Sequence, residues 1–138
     1  MNMREIHEVA ARQHGLVTRA DLVRLQVSPK QRRTLVARHA LERIGRQTFR
    51  VGGAPATMHS TVLAGCLDTG GFATEGSALW LHRVGSARPP GRPLVLVSRP
   101  RYDYDNPLAD VRTTNWLPQD DVLEVDGIPC LSVARTLF

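Results

Sequence analysis

Residues 28–50 carry seven basic side chains and one acid, Glu42. At 100° per residue, Lys30, Arg33, Thr34 and Ala37 share one face of a helix predicted over residues 29–39. Leu35, Val36 and His39 lie towards the opposite side. Such a face is suited to holding anions. Arginine offers a planar fork of donors that matches phosphate oxygens and the guanine edge in two-point geometry. If this helix enters a DNA major groove, Lys30, Arg33 and Thr34 are placed to reach base edges. Gln31 and Arg38 flank them, towards phosphate or the groove wall. Arg43, Arg46 and Arg50 follow on or beside a predicted hairpin, where contact with the DNA backbone or minor groove is expected. Arg32 falls between Leu35 and Val36 in phase, so its stem is expected to run along the edge of the core. The plainer reading of an isolated basic run is a face that meets only water. Four coinciding signals weigh against it here: the helix order, a short inter-helix turn, the charge asymmetry and the basic hairpin.

Other chemistries find less support. Asp103, Asp105, Asp110, Asp120, Asp121, Glu124 and Asp126 gather in the last third of the chain. A metal-dependent nuclease needs two or three carboxylates on strand ends near a lysine. The only lysine is Lys30, far away in sequence, and these acids fall mostly in predicted loops. A solvated acidic surface is the better reading. His7, His14, His39, His59 and His82 show neither HxxxH nor HExxH spacing. Ser60 and Ser77 lack a GxSxG context, and the Gly-Gly pairs at 52–53 and 70–71 read as turns. Cys66 and Cys130 stand 64 positions apart without a CxxC pattern, which excludes a disulfide scaffold and a conventional zinc site. No catalytic residue, metal or cofactor is expected.

The elements that must position the basic face can be read from caps and periodicity. Met3, Ile6, Val9, Ala10 and Gln13 have the three-four spacing of a helix with one inward side, and Gly15 is a natural stop. Thr18 can cap a second helix over residues 19–25, with Asp21 as the acidic part of a capping box. After a break at Gln26 and Val27, Ser28 followed by Pro29 caps the third helix, since proline's missing N–H costs nothing at the first helical position. Residues 41–44 and 48–51 read as two short strands around Gly45-Arg46-Gln47. This order is that of a helix-turn-helix followed by a β-wing. Gly52-Gly53-Ala54-Pro55 is the candidate domain boundary.

Beyond it, helices are predicted over residues 56–67 and 75–82, and strands over 94–98, 111–117 and 122–125. A glycine-, proline- and arginine-rich loop spans 84–93, and Tyr102 to Pro107 form a polar loop. Asp126-Gly127 is a turn leading into Ile128-Pro129-Cys130. Leu79, Trp80 and Leu81 are either core or a patch for a partner. Ser132 caps a final helix expected to be cut short at Phe138, because a helix of a turn and a half does not offset its nucleation cost alone.

At 138 residues and 15.3 kDa, with 42% apolar and 22% charged residues, the chain can bury a core and is not disordered by composition. No apolar run is long enough to span a membrane, and the charged first twenty residues do not resemble an export signal. A soluble cytoplasmic protein is expected. The net charge is +5 and unevenly placed. Residues 1–53 hold eleven basic side chains against four acids, and residues 54–138 hold seven against nine. An anion-binding front on a nearly neutral body is implied. Seventeen arginines to one lysine fits a GC-rich genome, but codon bias does not explain why the positive charge gathers in the first third.

Several runs, in order and spacing, resemble the AbiEi antitoxin family. They are AARQHGLVTRADL at 10–22, LERI at 41–44, TFRV at 48–51 and SALWLH at 77–82. The most specific is VDGIPCLSVARTL at 125–137. The resemblance implies a winged-helix DNA-binding domain followed by an α/β antitoxin-type domain. It implies repression of a toxin–antitoxin operon through an inverted repeat in the chain's own promoter, and a nucleotidyltransferase-like toxin as partner. Arg32 stands where similar sequences usually have an aliphatic residue, and Gln47 where they commonly have glycine. Relatives with the same front half continue into a restriction-endonuclease-like domain, and no nuclease activity is expected to carry over to residues 1–138.

The combined expectation is an α+β protein. Residues 1–53 form a winged helix-turn-helix of three helices and a hairpin, and 54–138 a small α/β domain with a mixed or antiparallel sheet, cut short at its C-terminus. It is expected to be a non-enzymatic, sequence-specific regulator that acts on double-stranded DNA as two copies. The base-reading residues would be Lys30, Arg33 and Thr34, and the backbone-gripping ones Gln31, Arg38, Arg43, Arg46 and Arg50. The alternatives are a protein-interaction module acting on a toxin without DNA, or the remnant of a longer nuclease-type protein.

Overall fold

A computed structural model describes residues 2–89, 91–99 and 105–137. Tyr102, Asp103 and Tyr104 of the expected polar loop, Pro90 of the preceding loop and the terminal Phe138 lie outside the described residues. Among the described residues the chain is α+β, with six α-helices, a three-stranded antiparallel sheet and a five-stranded mixed sheet.

Helix α1 (Met3–Ala11) is capped by the Asn2 side chain, which accepts the Arg4 N–H, and buries Ile6 and Ala10 one turn apart. The chain then reverses through Gly15, whose φ of +85° suits glycine, and the Gly15 N–H returns to the Ala10 carbonyl at 2.8 Å. Strand β1 (Leu16–Thr18) follows directly, where sequence reasoning assigned no strand. Helix α2 (Arg19–Arg24) starts on the expected capping box. Asp21 N–H donates to Thr18 Oγ1 at 3.1 Å, and Thr18 N–H to Asp21 Oδ2 at 2.9 Å. Gln26 turns the chain with φ +62°, and Val27 drops into the core between the helices.

Helix α3 (Pro29–Ala37) begins with a second box between Ser28 and Gln31. It ends two residues before the expected His39, which instead has φ +62° and feeds the chain into β2 (Leu41–Arg43). Strand β3 (Thr48–Val51) returns between β1 and β2, giving the order β1-β3-β2. Ile6, Leu22, Leu35, Leu41 and Phe49 fill the core beneath this sheet.

The second half opens with α4 (Met58–Thr69), displaced two residues from the expected 56–67 because Thr57, not an earlier residue, forms the capping box with Ser60. Then come β4 (Phe72–Ala73), which was not foreseen, and α5 (Glu75–Leu81). Strands β5 (Leu94–Ser98) and β6 (Asp110–Thr114) pair in parallel. Strand β6 stops three residues short of the expected 117, where Thr114 Oγ1 accepts the Trp116 N–H and closes a turn. A single 3-10 turn over Gln119–Asp121 leads into β7 (Val122–Val125) and β8 (Ile128–Leu131), an antiparallel hairpin turned at Asp126-Gly127. Helix α6 (Val133–Leu137) follows, with Ser132 Oγ accepting the Arg135 N–H at 3.1 Å. The sheet order is β6-β5-β4-β8-β7, and α4 and α5 both pack on β5 and β8.

Two apolar clusters result, and β1 stands between them. Because successive strand residues point to opposite faces, Val17 enters the first cluster and Leu16 the second. Ile44, after β2, also packs against the second cluster. The front third is therefore docked on α4 through side chains as well as joined by the linker.

Candidate nucleic-acid interface

Helix α3 turns Lys30, Arg33, Thr34, Ala37 and Arg38 to the outside, buries Leu35, and leaves Gln31, Arg32 and Val36 half-buried. The expected base-reading trio thus shares one exposed face. Lys30, Arg33 and Arg38 make no side-chain hydrogen bond or ion pair among the described residues, and Thr34 Oγ1 donates to the Lys30 carbonyl at 3.1 Å. The lone pairs of the Thr34 hydroxyl stay available to an incoming donor.

The remaining expected contacts are mostly engaged inside the chain. Gln31 Oε1 accepts the Ser28 N–H at 2.8 Å, so its carbonyl serves the helix cap and only its amide donors face outward. Arg43 Nε donates to the Gly45 carbonyl at 3.0 Å. An Arg46 Nη donates to the Asp105 carbonyl at 2.9 Å. Arg50, opposite Glu42 in the β2–β3 register, pairs with it at 3.7 Å. Of the five predicted backbone-gripping residues, Arg38 alone is unengaged among the described residues.

The hairpin itself is held by a residue that sequence reasoning passed over. Asp68, near the end of α4, is buried, and its carboxylate reaches across to the β2–β3 turn. Oδ1 accepts the Gln47 N–H at 2.6 Å and the Thr48 hydroxyl at 2.9 Å. Oδ2 accepts the Arg46 N–H at 3.0 Å and an Asn106 amide hydrogen at 2.8 Å. Burial pushes the Asp68 carboxyl up, but the donors from Gln47, Arg46, Asn106 and Thr48 together outweigh it and hold the group below its ordinary value. Gly45 is needed for space: a Cβ there would stand 2.6 Å from both Asp68 Oδ1 and Leu108 Cδ1. Its φ is not in the left-handed region, so the glycine serves close approach rather than the turn angle expected from sequence.

Between α3 and the hairpin lies a cleft of about 380 Å³, rimmed by the guanidinium-bearing Arg19, Arg32, Arg33 and Arg43. Among the described residues its lining contains no carboxylate; Val36 and Ala37 supply the apolar part, with the buried Phe49 beneath them. Arg32, expected along the core edge, lines this cleft. Partial burial, then the like charges of Arg19, Arg33 and Arg43, lower its pKa from the usual value. The buried Nε of Arg19 has no hydrogen-bond partner among the described residues.

Elsewhere the titratable groups are dispersed or sealed. Asp110 pairs with Arg92 at 2.8 Å and Asp121 with Arg135 at 3.3 Å, and Asp105, Asp120 and Glu124 are exposed. Asp103 lies outside the described residues. No group of three His, Cys, Asp or Glu that could hold a metal ion occurs among the described residues. His82 Nε2 sits 2.7 Å from the Leu131 carbonyl and ties α5 to β8. Burial pushes the thiols of Cys66 and Cys130 up to about 12, so neither is a nucleophile at neutral pH. Of the apolar trio, Leu81 is buried, while Leu79 and Trp80 are half-buried, with the Trp80 ring 4.8 Å from that of His59. Among the described residues, no helix is long and apolar enough to cross a membrane.

Comparison with protein-family models and with curated proteins finds no match to this chain. The functional reading therefore rests on the residues and their arrangement.

Proposed function

We propose that this chain is a sequence-specific DNA-binding regulator of the antitoxin type. Residues 1–53 act as a winged helix-turn-helix, and 54–138 as the α/β domain that carries it. The observation that carries the reading is the outer face of α3. Among the described residues, Lys30, Arg33 and Arg38 project from it with no side-chain partner, beside three further arginines and no carboxylate in the adjoining cleft. Supporting it is the element order helix, strand, helix, helix, strand, strand with the sheet order β1-β3-β2, which suits a hairpin wing packed beside a recognition helix.

In this mechanism α3 enters the major groove. Arg33 and Lys30 donate to guanine edges, and Thr34 contacts either base edge or a thymine methyl. Arg38 neutralises a phosphate at the helix end. Arg46 and Arg50 join only by exchanging their bonds to Asp105 and Glu42, so their share is smaller than charge alone suggests. A reader of an inverted repeat works as two copies, one per half-site. The resemblance in sequence adds the chain's own promoter as the target and a nucleotidyltransferase-like toxin as the neighbouring gene product.

Two substitutions separate reading from gripping. Arg33→Ala should cost about 1–3 kcal/mol on the preferred duplex and much less on a scrambled one. Arg38→Ala should weaken both duplexes alike and flatten the slope of log K against log salt by about 0.9. Equal losses on both duplexes for Arg33→Ala would remove the base-reading role. Binding that ignores DNA altogether and follows a protein partner would favour an interaction module instead.

A further inference from the structure

The cleft between α3 and the β2–β3 hairpin has features that a DNA-facing surface does not require. A backbone phosphate meets a protein through its outward oxygens and needs neither a concavity nor an apolar floor. This cleft encloses about 380 Å³, within the range of about 300–1,000 Å³ usual for small-molecule sites. Val36 and Ala37 on α3 give it an apolar side, with the buried Phe49 of β3 beneath them, while Arg19, Arg32, Arg33 and Arg43 supply its positive rim.

The guanidiniums are also prepared for an anion. Arg19 has a buried Nε with no partner among the described residues, and the Arg32 guanidinium makes no hydrogen bond or ion pair there. Arg43 is fixed in place by its bonds to the Gly45 and Arg46 carbonyls at 3.0 and 3.4 Å, which leaves its remaining donors for another acceptor. Four like charges around one concavity repel each other; burial first, and then the charges of Arg19, Arg33 and Arg43, lower the pKa of Arg32. A bound anion would relieve the repulsion.

We propose that this cleft is a binding site for a small organic phosphate of the nucleotide class. Its phosphate is held by Arg19, Arg32 and Arg43, and its organic body lies against Val36 and Ala37. Arg33 is shared between the cleft rim and the outer face of α3, so an occupied cleft withdraws it from DNA. Only this coupling rests on the DNA-binding reading; the binding site itself does not.

The test is isothermal titration calorimetry of the full chain at constant ionic strength, with AMP, adenosine and inorganic phosphate as probes. AMP should bind, with adenosine and phosphate each weaker by about tenfold or more, since each lacks one half of the contact. Arg32→Gln and, separately, Arg43→Gln should weaken AMP by about tenfold or more, while the remote, exposed Arg88→Gln leaves it unchanged. Circular dichroism confirms that each variant is folded, and either of the two rim variants suffices. No heat with AMP would overturn the proposal. So would AMP binding that both rim variants retain, or inorganic phosphate binding as tightly as AMP. A parallel titration with a labelled duplex tests the coupling, which predicts weaker duplex binding at saturating AMP; undiminished duplex binding would overturn that coupling. The calorimetry contains no DNA, so the failure of the site and the failure of the DNA-binding reading are seen separately.

Discussion

Replacing Asp68 with asparagine removes half of the acceptor on which the β2–β3 turn hangs. The carboxylate accepts four hydrogen bonds, two on each oxygen, from Gln47, Thr48, Arg46 and Asn106. An asparagine keeps one oxygen and turns an NH2 towards the other two donors. If the oxygen stays with Gln47 and Thr48, the Arg46 N–H and the Asn106 amide face a donor. Asn106 can rotate to offer its own oxygen only by giving up the Leu108 N–H, which it accepts at 2.8 Å. Both donors thus lose a charged acceptor and meet an NH2 group instead, at about 1–3 kcal/mol each, so Asp68→Asn should cost about 2–6 kcal/mol. Urea denaturation followed by circular dichroism should show a lower midpoint at unchanged slope. The exposed Asp120→Asn, as control, should stay within about 0.5 kcal/mol of the parent. The pH dependence has a definite sign. Because the folded-state pKa of Asp68 is lowered, its contribution is fully present above the ordinary carboxylate pKa of about 3.9 and is lost as pH falls through the folded value. Asp68→Asn should therefore lose less stability than the parent between neutral pH and pH values below about 3.9. A loss under about 0.5 kcal/mol at pH 7 would refute the idea that this carboxylate holds the hairpin to α4.

Gly45→Ala places a Cβ 2.6 Å from Asp68 Oδ1 and Leu108 Cδ1, and should destabilise by about 1–3 kcal/mol in the same urea assay. Gly76→Ala, in α5 with nothing within 4 Å of the added Cβ, should instead raise stability by up to about 1 kcal/mol. Cys66 and Cys130 should resist iodoacetamide at pH 8 in the native chain and react once urea unfolds it, because burial holds both thiols up to about 12; mass spectrometry of the two samples reads this directly.

The parts of the fold that were legible in the sequence are those with local chemical punctuation. Thr18 with Asp21, and Ser28 with Pro29, placed the starts of α2 and α3 because caps act within three residues; the part of Gln31 in the second box was not read. The exposed face of α3 followed from phase alone. Strands β1 and β4 were missed because three- and two-residue strands are too short to show alternation, and each exists only through its sheet neighbours. The helix end at Ala37 was placed late because His39 takes up a positive φ, which an ordinary side chain does not advertise.

The candidate site was half legible. Charge and phase located Lys30, Arg33, Thr34 and Arg38, but could not say that Arg46 and Arg50 are bonded inside the chain, since Asp105 and Glu42 approach them only through tertiary structure. Arg19 was given no role and Arg32 was read as core edge, whereas folding brings both to one cleft with Arg43. A signal for Asp68 did exist: a lone carboxylate within the otherwise apolar run VLAGCLDT implies a buried charge that must find donors.

The central claim is that α3 reads DNA sequence. Its most direct test is fluorescence anisotropy of the full chain with a duplex from the gene's own upstream region and a scrambled duplex of equal length, at low and physiological salt. The account predicts about a hundredfold or greater preference for the upstream duplex that persists at physiological salt, with a steep salt slope on both. Equal, weak binding to both that vanishes at physiological salt would contradict it and reduce the basic face to a general electrostatic patch.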